Sequence, residues 1–390
     1  MRISRLVRPL MLSLILLGGC DKAASDRSAG PGAAAPIVPG DPLAAHDGVA
    51  DALPDNDPRV MMQAQVVLDR LGFTPGVIDG KPGLSTRNAI AGFQEANGLP
   101  PTGELDDGTR AKLGQWNTIA ATRVVTIPAD FAAGPFTVVP KGPELQAKLA
   151  VLGYGSLDEK LAERFHTTIA TLRELNPGGV PAGSAAATVA PAPAATAATP
   201  ADAQGTAAPP LAHAGQQVRV PNIGNDKVDP GGLGGDADWQ RTLVSLGVGT
   251  DQPRVDKIVV SKATGVLKGY NGAGKLVAVY TATMGSKRDP LPLGRWKING
   301  VSRNPKFHYN PALFWDAGAN ERKATLPPGP NGPVGVVWID LSKPHYGIHG
   351  TPSPETIGRA ESHGCVRLTN WDAARLAQMV RPGTAVLFTP

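Results

Sequence analysis

The sequence predicts a multidomain chain with three folded parts: a small all-α module of three short helices, a small α+β module, and a C-terminal, mainly-β domain of sandwich or barrel type. Three observations carry this. At 390 residues the chain exceeds one ordinary domain. Its apolar residues recur at helical spacing before residue 114 and alternate, strand-like, after residue 253. Stretches rich in Ala, Gly and Pro separate these parts, which accounts for the 47 glycines and 38 prolines. With 42% hydrophobic and 18% charged residues, the chain can build cores.

The first residues read as an export signal. Arg2, Arg5 and Arg8 precede the apolar run Leu10–Leu17, which is far short of the ~20 residues that span a bilayer. These arginines supply three of the five net positive charges, and no Lys/Arg-rich run follows. Nothing in the charge pattern therefore argues for nucleic acid. Leu17-Gly18-Gly19-Cys20 then places small residues before a cysteine. This resembles the lipobox of bacterial lipoproteins, which implies a signal peptide over 1–19 and a lipid on Cys20. The implied location is periplasmic, anchored to a membrane, with inner or outer membrane left open. Residues 20–56 read as a flexible tether.

Within 57–114, Val60, Met61, Ala64, Val67, Leu68 and Leu71 keep a helical period that Gly72 stops. Ser85 is placed to cap a second helix carrying Ala89, Ile90 and Phe93, and a third runs from about Asp106 to Leu113. Between them lie the turns Gly76-Val77-Ile78-Asp79-Gly80 and Gly98-Leu99-Pro100-Pro101-Thr102-Gly103. In this order the segment resembles the peptidoglycan-binding type 1 domain, which implies wall peptidoglycan as a partner.

Residues 135–221 contain two helical stretches, around Leu161-Ala162-Phe165 and Ile169, Leu172, Leu175. Asn176-Pro177 closes the second, and Gln217-Val218-Arg219-Val220-Pro221 reads as a strand. Helices ending in Leu-Asn-Pro before a Val-x-Val-Pro strand are similar to a degenerate LysM sugar-binding module. Its first strand is expected within 134–139, and the Ala/Pro/Thr tract 181–210 would be an insert.

Residues 253–390 supply strands around 256–261, 265–270, 275–283, 338–341 and 385–388, and one helix from about Asn370 to Val380. Val277, Val279 and Thr281 share one face. The long segment from Arg303 to Gly335 is rich in Pro and Gly yet carries Phe307, Tyr309, Phe314 and Trp315, which suits a functional loop.

The reactive groups cluster near the end of the chain. Ile348-His349-Gly350-Thr351-Pro352 is followed by Glu361-Ser362-His363-Gly364-Cys365-Val366-Arg367-Leu368. The chain has two cysteines. If Cys20 carries lipid, Cys365 has no intrachain disulfide partner, and a lone thiol in an oxidising compartment is a liability unless its chemistry is used. A nucleophilic thiol needs an imidazole or cationic neighbour to form thiolate. His363 stands two residues before Cys365 and His349 sixteen before it, so adjacent strands would bring both rings to the sulfur. Gly364 permits a sharp turn that leaves the Cys365 amide able to face an oxyanion, and Arg367 would project to the same face as Cys365. A metal site of two His and one Cys is the rival reading, but it needs a further ligand, and His308 and His345 lack ligand-like spacing.

His-Gly-Thr followed by Ser-His-Gly-Cys-Val-Arg resembles the signature of the L,D-transpeptidase (YkuD-like) catalytic domain. The resemblance extends through Pro292–Trp296, Gly329–Gly335 and Pro382–Val386. It implies Cys365 as nucleophile, His349 as general base and His363 in the catalytic set. Gly364, Arg367, Ser362 and Gly350 would shape the substrate and oxyanion site, and 303–335 would form a substrate lid. Since Gly350 has no side chain, only a main-chain carbonyl can orient the His349 ring at that position. No metal or organic cofactor is implied. The acyl acceptor stays open between a stem-peptide amine, water and a protein lysine, and a non-catalytic wall-binding lipoprotein is the reading from another class.

Overall fold

The alternation of the apolar helical face with two buried glutamines explains the first module. The structure, a computed structural model, describes Leu43, Asp55 and residues 57–184, 210–318 and 320–390. The signal peptide, Cys20, most of the tether and 185–209 of the insert lie outside these residues. Helix α1 (Val60–Arg70) buries Met62, Val66, Val67 and Leu68, followed by strand β1 (Phe73–Thr74), α2 (Leu84–Ala96) and α3 (Asp107–Leu113). Gln65 on α1 accepts from the Gly80 amide (2.7 Å) and donates to Thr86 Oγ1 (3.0 Å), which pins the Asp79–Gly80 turn to α2. Gln94 does the same for the second turn, accepting from Gly103 N (2.8 Å) and donating to Thr109 Oγ1 (2.8 Å). A buried amide with its donors and acceptors satisfied fixes a loop without a hydrophobic cost. Ser85 does not cap α2: extended Gly83 precedes the helix, and Ser85 falls within its first turn, beside the Gly76 turn.

In the second module, β2 (Thr122–Thr126) pairs antiparallel with β3 (Gln217–Pro221), with Val125 opposite Val218. The first strand therefore lies at 122–126 and not within 134–139. A mostly β-branched run, Thr122, Val124, Val125 and Thr126, with every amide available outcompetes a stretch containing Pro135. Between the strands come the short α4 (Ala129–Ala132) and α5 (Pro143–Gln146), then α6 (Leu157–Arg164) and α7 (Ile169–Leu175). Asn176, which ends α7, bonds the backbone of β3 like a neighbouring strand: Arg219 N donates to its Oδ1 (2.7 Å) and its Nδ2 donates to Arg219 O (2.8 Å).

The third module opens with α8 (Ala237–Leu246), capped by Asp236 and stopped by Gly247 in the left-handed region. Its strands are β4 (Lys257–Ser261), β5 (Val266–Tyr270), β6 (Leu276–Thr281), β7 (Thr283–Met284), β8 (Gly294–Arg303), β9 (Phe307–Tyr309), β10 (Ala324–Leu326), β11 (Val337–Leu341), β12 (Gly347–His349) and β13 (Val366–Arg367). Helix α9 (Asn370–Met379) and β14 (Ala385–Thr389) complete it. One sheet runs β1-β6-β5-β4-β14-β8-β11-β12-β13-β7, and β9 pairs with β10 apart from it. Thr281 ends β6, next to the first strand of that order, and Thr283 begins β7, the last, although a single residue separates them, so the sheet must curl towards closure, barrel-like. Trp239 and Leu243 of α8, Trp371 and Leu376 of α9, and Ile258, Ile339, Ile348 and Val366 of the sheet fill the interior.

The sheet order contains a strand from the first module. β1 extends the edge at β6 in parallel, with Phe73 opposite Val279. Helix α2 lies on β6, where a Cβ on Gly92 would fall 2.6 Å from Val279 Cγ2. Both faces of β6 are thereby covered: Ala278 and Tyr280 face the large core, and Val279 faces Phe73 and Phe93. Among the described residues no helix is long and apolar enough to cross a membrane.

Candidate active site

Strand alternation decides which groups meet. β12 and β13 pair in parallel, Ile348 opposite Val366 and His349 opposite Arg367. Ile348 and Val366 are buried in the core, so their neighbours Gly347, His349, Cys365 and Arg367 project from the other face. β11 continues the row with Trp338 opposite His349, and β7 with Thr283 opposite Arg367. Cys365 and His349 are thus diagonal neighbours on one face. Gly347, lacking a side chain, leaves room for the Trp338 indole, whose Cζ2 lies 2.5 Å from where a Cβ would stand. The same indole stacks on His349, with ring centroids 5.5 Å apart.

His349 is 4% exposed. Its Nδ1 lies 2.7 Å from Gly350 O. A carbonyl can only accept, so Nδ1 carries the proton and Nε2 presents a lone pair. Burial, with the Arg367 charge alongside, pushes the ring's pKa down to about 4, against the opposing Gly350 bond. The ring is a neutral base at ordinary pH. Gly350 cannot be larger, because a Cβ there would stand 2.2 Å from Asn370 Oδ1.

The thiol is half-buried, and its Sγ donates to His345 O across 3.8 Å. His345 takes a left-handed backbone (φ 69°) that turns this carbonyl to the sulfur. Burial raises the thiol's pKa, opposed by a backbone hydrogen bond from Gly347 and by Arg367. The resting pair is therefore neutral thiol and neutral imidazole, not the thiolate that the histidine–cysteine spacing suggested. Low dielectric disfavours both ions, and proton transfer has to accompany attack. Burial also depresses Arg367, while Cys365 and Asp316 favour its charge.

The other expected residues hold the loop around the sulfur. Ser362 is buried, donates to Cys365 O (2.7 Å) and accepts from Gly285 N (2.6 Å), so its hydroxyl is committed to the turn and not to a ligand. Gly364 has φ 96°, and a Cβ would strike Tyr346 Cε1 at 2.6 Å. His363 turns to the long loop instead of the sulfur. Its Nε2 donates to Asp316 Oδ1 (2.8 Å), and its ring lies between Phe314 (5.1 Å) and Trp315 (5.6 Å). Its Nδ1 is buried with no hydrogen-bond partner among the described residues. The Arg288 guanidinium lies over the Trp315 ring, 4.5 Å from its centroid. His308 bonds Thr325 Oγ1 (3.2 Å) on the β9–β10 hairpin, away from this row. Among the described residues no three His, Cys, Asp or Glu side chains converge as ligands.

Asp316, Trp338, Tyr346 and the His345 carbonyl escaped the sequence reading. Trp338 could have been found from the alternation of β11, which sets it beside whatever occupies the functional face of β12. Asp316 gave no signal, since its partner is fixed by the path of a long loop.

Residues 256–387 match the L,D-transpeptidase catalytic domain family, and residues 60–113 match a peptidoglycan binding domain family. The chain is 32% identical over 164 residues to the Bacillus licheniformis protein named as the L,D-transpeptidase YkuD, covering 42% of this chain and 84% of that one. The chain belongs to the L,D-transpeptidase family. Over 57 residues, 15% of this chain and 35% of the relative, identity to the YkuD protein of Bacillus subtilis is 54%. A solved L,D-transpeptidase from Mycobacterium smegmatis aligns with a TM-score of 0.28 and 20% identity over 34% of this chain and 58% of its own. The chain thus spans about three-fifths of that structure. In this L,D-transpeptidase the signature region coincides with the paired β12 and β13.

Proposed function

We propose that the chain is a cell-wall L,D-transpeptidase that makes 3→3 crosslinks through a thioester on Cys365. The observation that carries this is the placement of Cys365 and His349 on one face of adjacent strands, with His349 Nδ1 committed to Gly350 O. His349 Nε2 takes the thiol proton as Sγ attacks the carbonyl carbon of the third residue of a tetrapeptide stem, at its L-centre. The C–N bond to D-alanine breaks, and the imidazolium returns its proton to the departing amine. The side-chain amine of diaminopimelate on a second stem then attacks the thioester and gives its proton to Nε2. The C–S bond breaks, and the thiol is restored. Atoms and charge balance without a cofactor.

The peptidoglycan-binding module would hold the enzyme on its polymer and raise the local concentration of stems. The second module adds a sugar-binding surface in this reading. A lipid on Cys20 would tether the enzyme to a membrane in the periplasm, within reach of the wall. Water or a protein lysine in place of the second stem gives hydrolysis or protein anchoring from the same acyl-enzyme.

Cys365→Ala should abolish turnover of purified tetrapeptide muropeptides while the protein stays folded, and His349→Ala should lower it at least ~100-fold. Mass spectrometry reads the products: a dimer short of one D-alanine supports the crosslink, and a tripeptide monomer alone points to hydrolysis. Undiminished turnover by Cys365→Ala would defeat the assignment.

A further inference from the structure

The support of the catalytic base rests on Asn370, and a side chain from another module bonds Asn370 in turn. Asn370 opens α9, and its Oδ1 lies against Gly335 and Gly350, where Cβ atoms would stand 1.9 Å and 2.2 Å from it. Gly350 is the residue whose carbonyl holds His349 Nδ1. Asn370 Oδ1 also accepts from Val336 N (3.3 Å), and its Nδ2 donates to Pro330 O (3.1 Å) and to Glu163 Oε1 (2.9 Å). Glu163 belongs to α6 of the second module and is 6% exposed. Tyr154 OH, from the same module, is hydrogen-bonded to its other oxygen (3.1 Å).

The same stretch of the second module grips the loop leading into β11. Leu152 N donates to Pro328 O (2.8 Å), and Leu152 O accepts from Asn331 N (2.9 Å). Asn331 Nδ2 donates to Glu159 Oε1 (2.7 Å). Gly329 has no room for a side chain, as a Cβ would meet Leu152 O at 2.2 Å. Asn370 is thus wedged between a held loop and the strand end that orients the base. Among the described residues, Glu163 is the one side chain from outside the catalytic domain that bonds this amide.

We infer that Glu163 is a positioning residue for the transpeptidase: it fixes the Asn370 amide, which in turn fixes the Gly350 carbonyl and the ring of His349. This makes the second module part of the catalytic apparatus and not only a sugar-binding surface. It rests on the proposed role of His349 as base. Glu163 acts as a neutral acid here. Burial pushes its pKa up to about 8, against the bonds from Asn370 and Tyr154, with Glu159 and Glu355 adding to the rise. A neutral carboxyl accepts from Asn370 through its carbonyl oxygen and turns its protonated oxygen to Tyr154 OH as a donor, which the amide group of glutamine reproduces.

The test uses the full chain and alkylation of Cys365 by iodoacetamide, which needs no wall substrate, alongside kcat and KM on tetrapeptide muropeptides. Glu163→Gln should match the wild type in both near pH 7. Glu163→Leu should lower alkylation and kcat about three- to ten-fold with KM unchanged, the scale of one lost hydrogen bond. Joined to His349→Ala, it should add nothing further. As Glu163→Leu could fail to fold, the pH profile supplies a second arm with the soluble variant. The wild type should show an inflection in alkylation near pH 8 that Glu163→Gln lacks. Equal rates in wild type and folded Glu163→Leu, an additive effect on His349→Ala, or identical pH profiles of wild type and Glu163→Gln would overturn the inference. An inactive wild type whose alkylation still follows this pattern would defeat the transpeptidase reading and leave the positioning role standing.

Discussion

His349 is a base whose surroundings keep it neutral. With burial and Arg367 depressing its pKa to about 4 and a free imidazole near 6.5, the folded state binds the proton less readily than the unfolded chain. The stability this contributes is present above about pH 6.5 and is lost as the pH falls through 4, an amount on the order of 3 kcal/mol. Two outcomes follow from the same shift. The acid limb of Cys365 alkylation should lie near pH 4 to 5 and not near 6.5, because Nε2 keeps its lone pair down to that range. Urea unfolding should show stability declining between pH 6.5 and 4, and part of that slope should vanish in His349→Gln if the variant folds. An acid limb at 6.5 would place the ring in water. At this scale the sequence was informative. His349, Cys365 and Arg367 stand together because strand alternation is a local property that spacing reveals. The roles expected of Ser362 and His363 were less legible. Ser362 spends its hydroxyl on Gly285 and the Cys365 carbonyl, and His363 bonds Asp316, both partners being remote in sequence.

Elements meet here through missing side chains. Helix α2 approaches β6 closely because position 92 is glycine, and β1 reaches the sheet edge because Gly72 (φ 85°) turns the chain with its Cα near Val277 O. An edge strand left bare is a template for pairing, and β1 covers this one. Gly92→Val should force α2 away from Val279, costing about 1–3 kcal/mol as an overpacked contact. The first module should then loosen from the sheet while its own core of Leu68, Ile90 and Phe93 stays intact. Hydrogen exchange reads this directly: faster exchange at β1 and β6 with α1 unchanged is expected, and a pattern identical to wild type would show that the interface can absorb the methyls. The helices of the first module and the strands β4, β5, β6, β11 and β14 follow from periodicity and turn residues in the sequence. β1 does not, since two residues carry no period. Neither does the strand at Thr122–Thr126, whose partner lies beyond a long insert.

At the scale of the molecule, three modules converge on one carboxylate. Asp69 comes from α1, Arg375 from α9, and His166 follows α6. Arg375 bonds both Asp69 oxygens at 2.8 Å, and His166 Nδ1 lies 3.3 Å away with Nε2 on Leu246 O (2.8 Å), its ring stacked on Trp371 at 5.1 Å. All three side chains are almost wholly buried. Burial would raise the Asp69 pKa, but Arg375 and His166 overrule it and hold the carboxyl far below its usual range. Burial also lowers that of His166, against the pull of Asp69. Such a group contributes little by existing and a great deal by being complete, because each ion has surrendered its water. Asp69→Ala should therefore cost about 3–5 kcal/mol, leaving the Arg375 guanidinium buried without its bidentate partner. The double variant Asp69→Leu/Arg375→Met, which removes both charges and keeps bulk, should recover much of that loss in urea unfolding. Cooperativity separates this from an ordinary core defect. If the cluster joins the modules, Asp69→Ala should split one unfolding transition into two, the first module releasing before the sheet. A single transition shifted as a whole would mean that the β1–β6 edge alone holds the modules together.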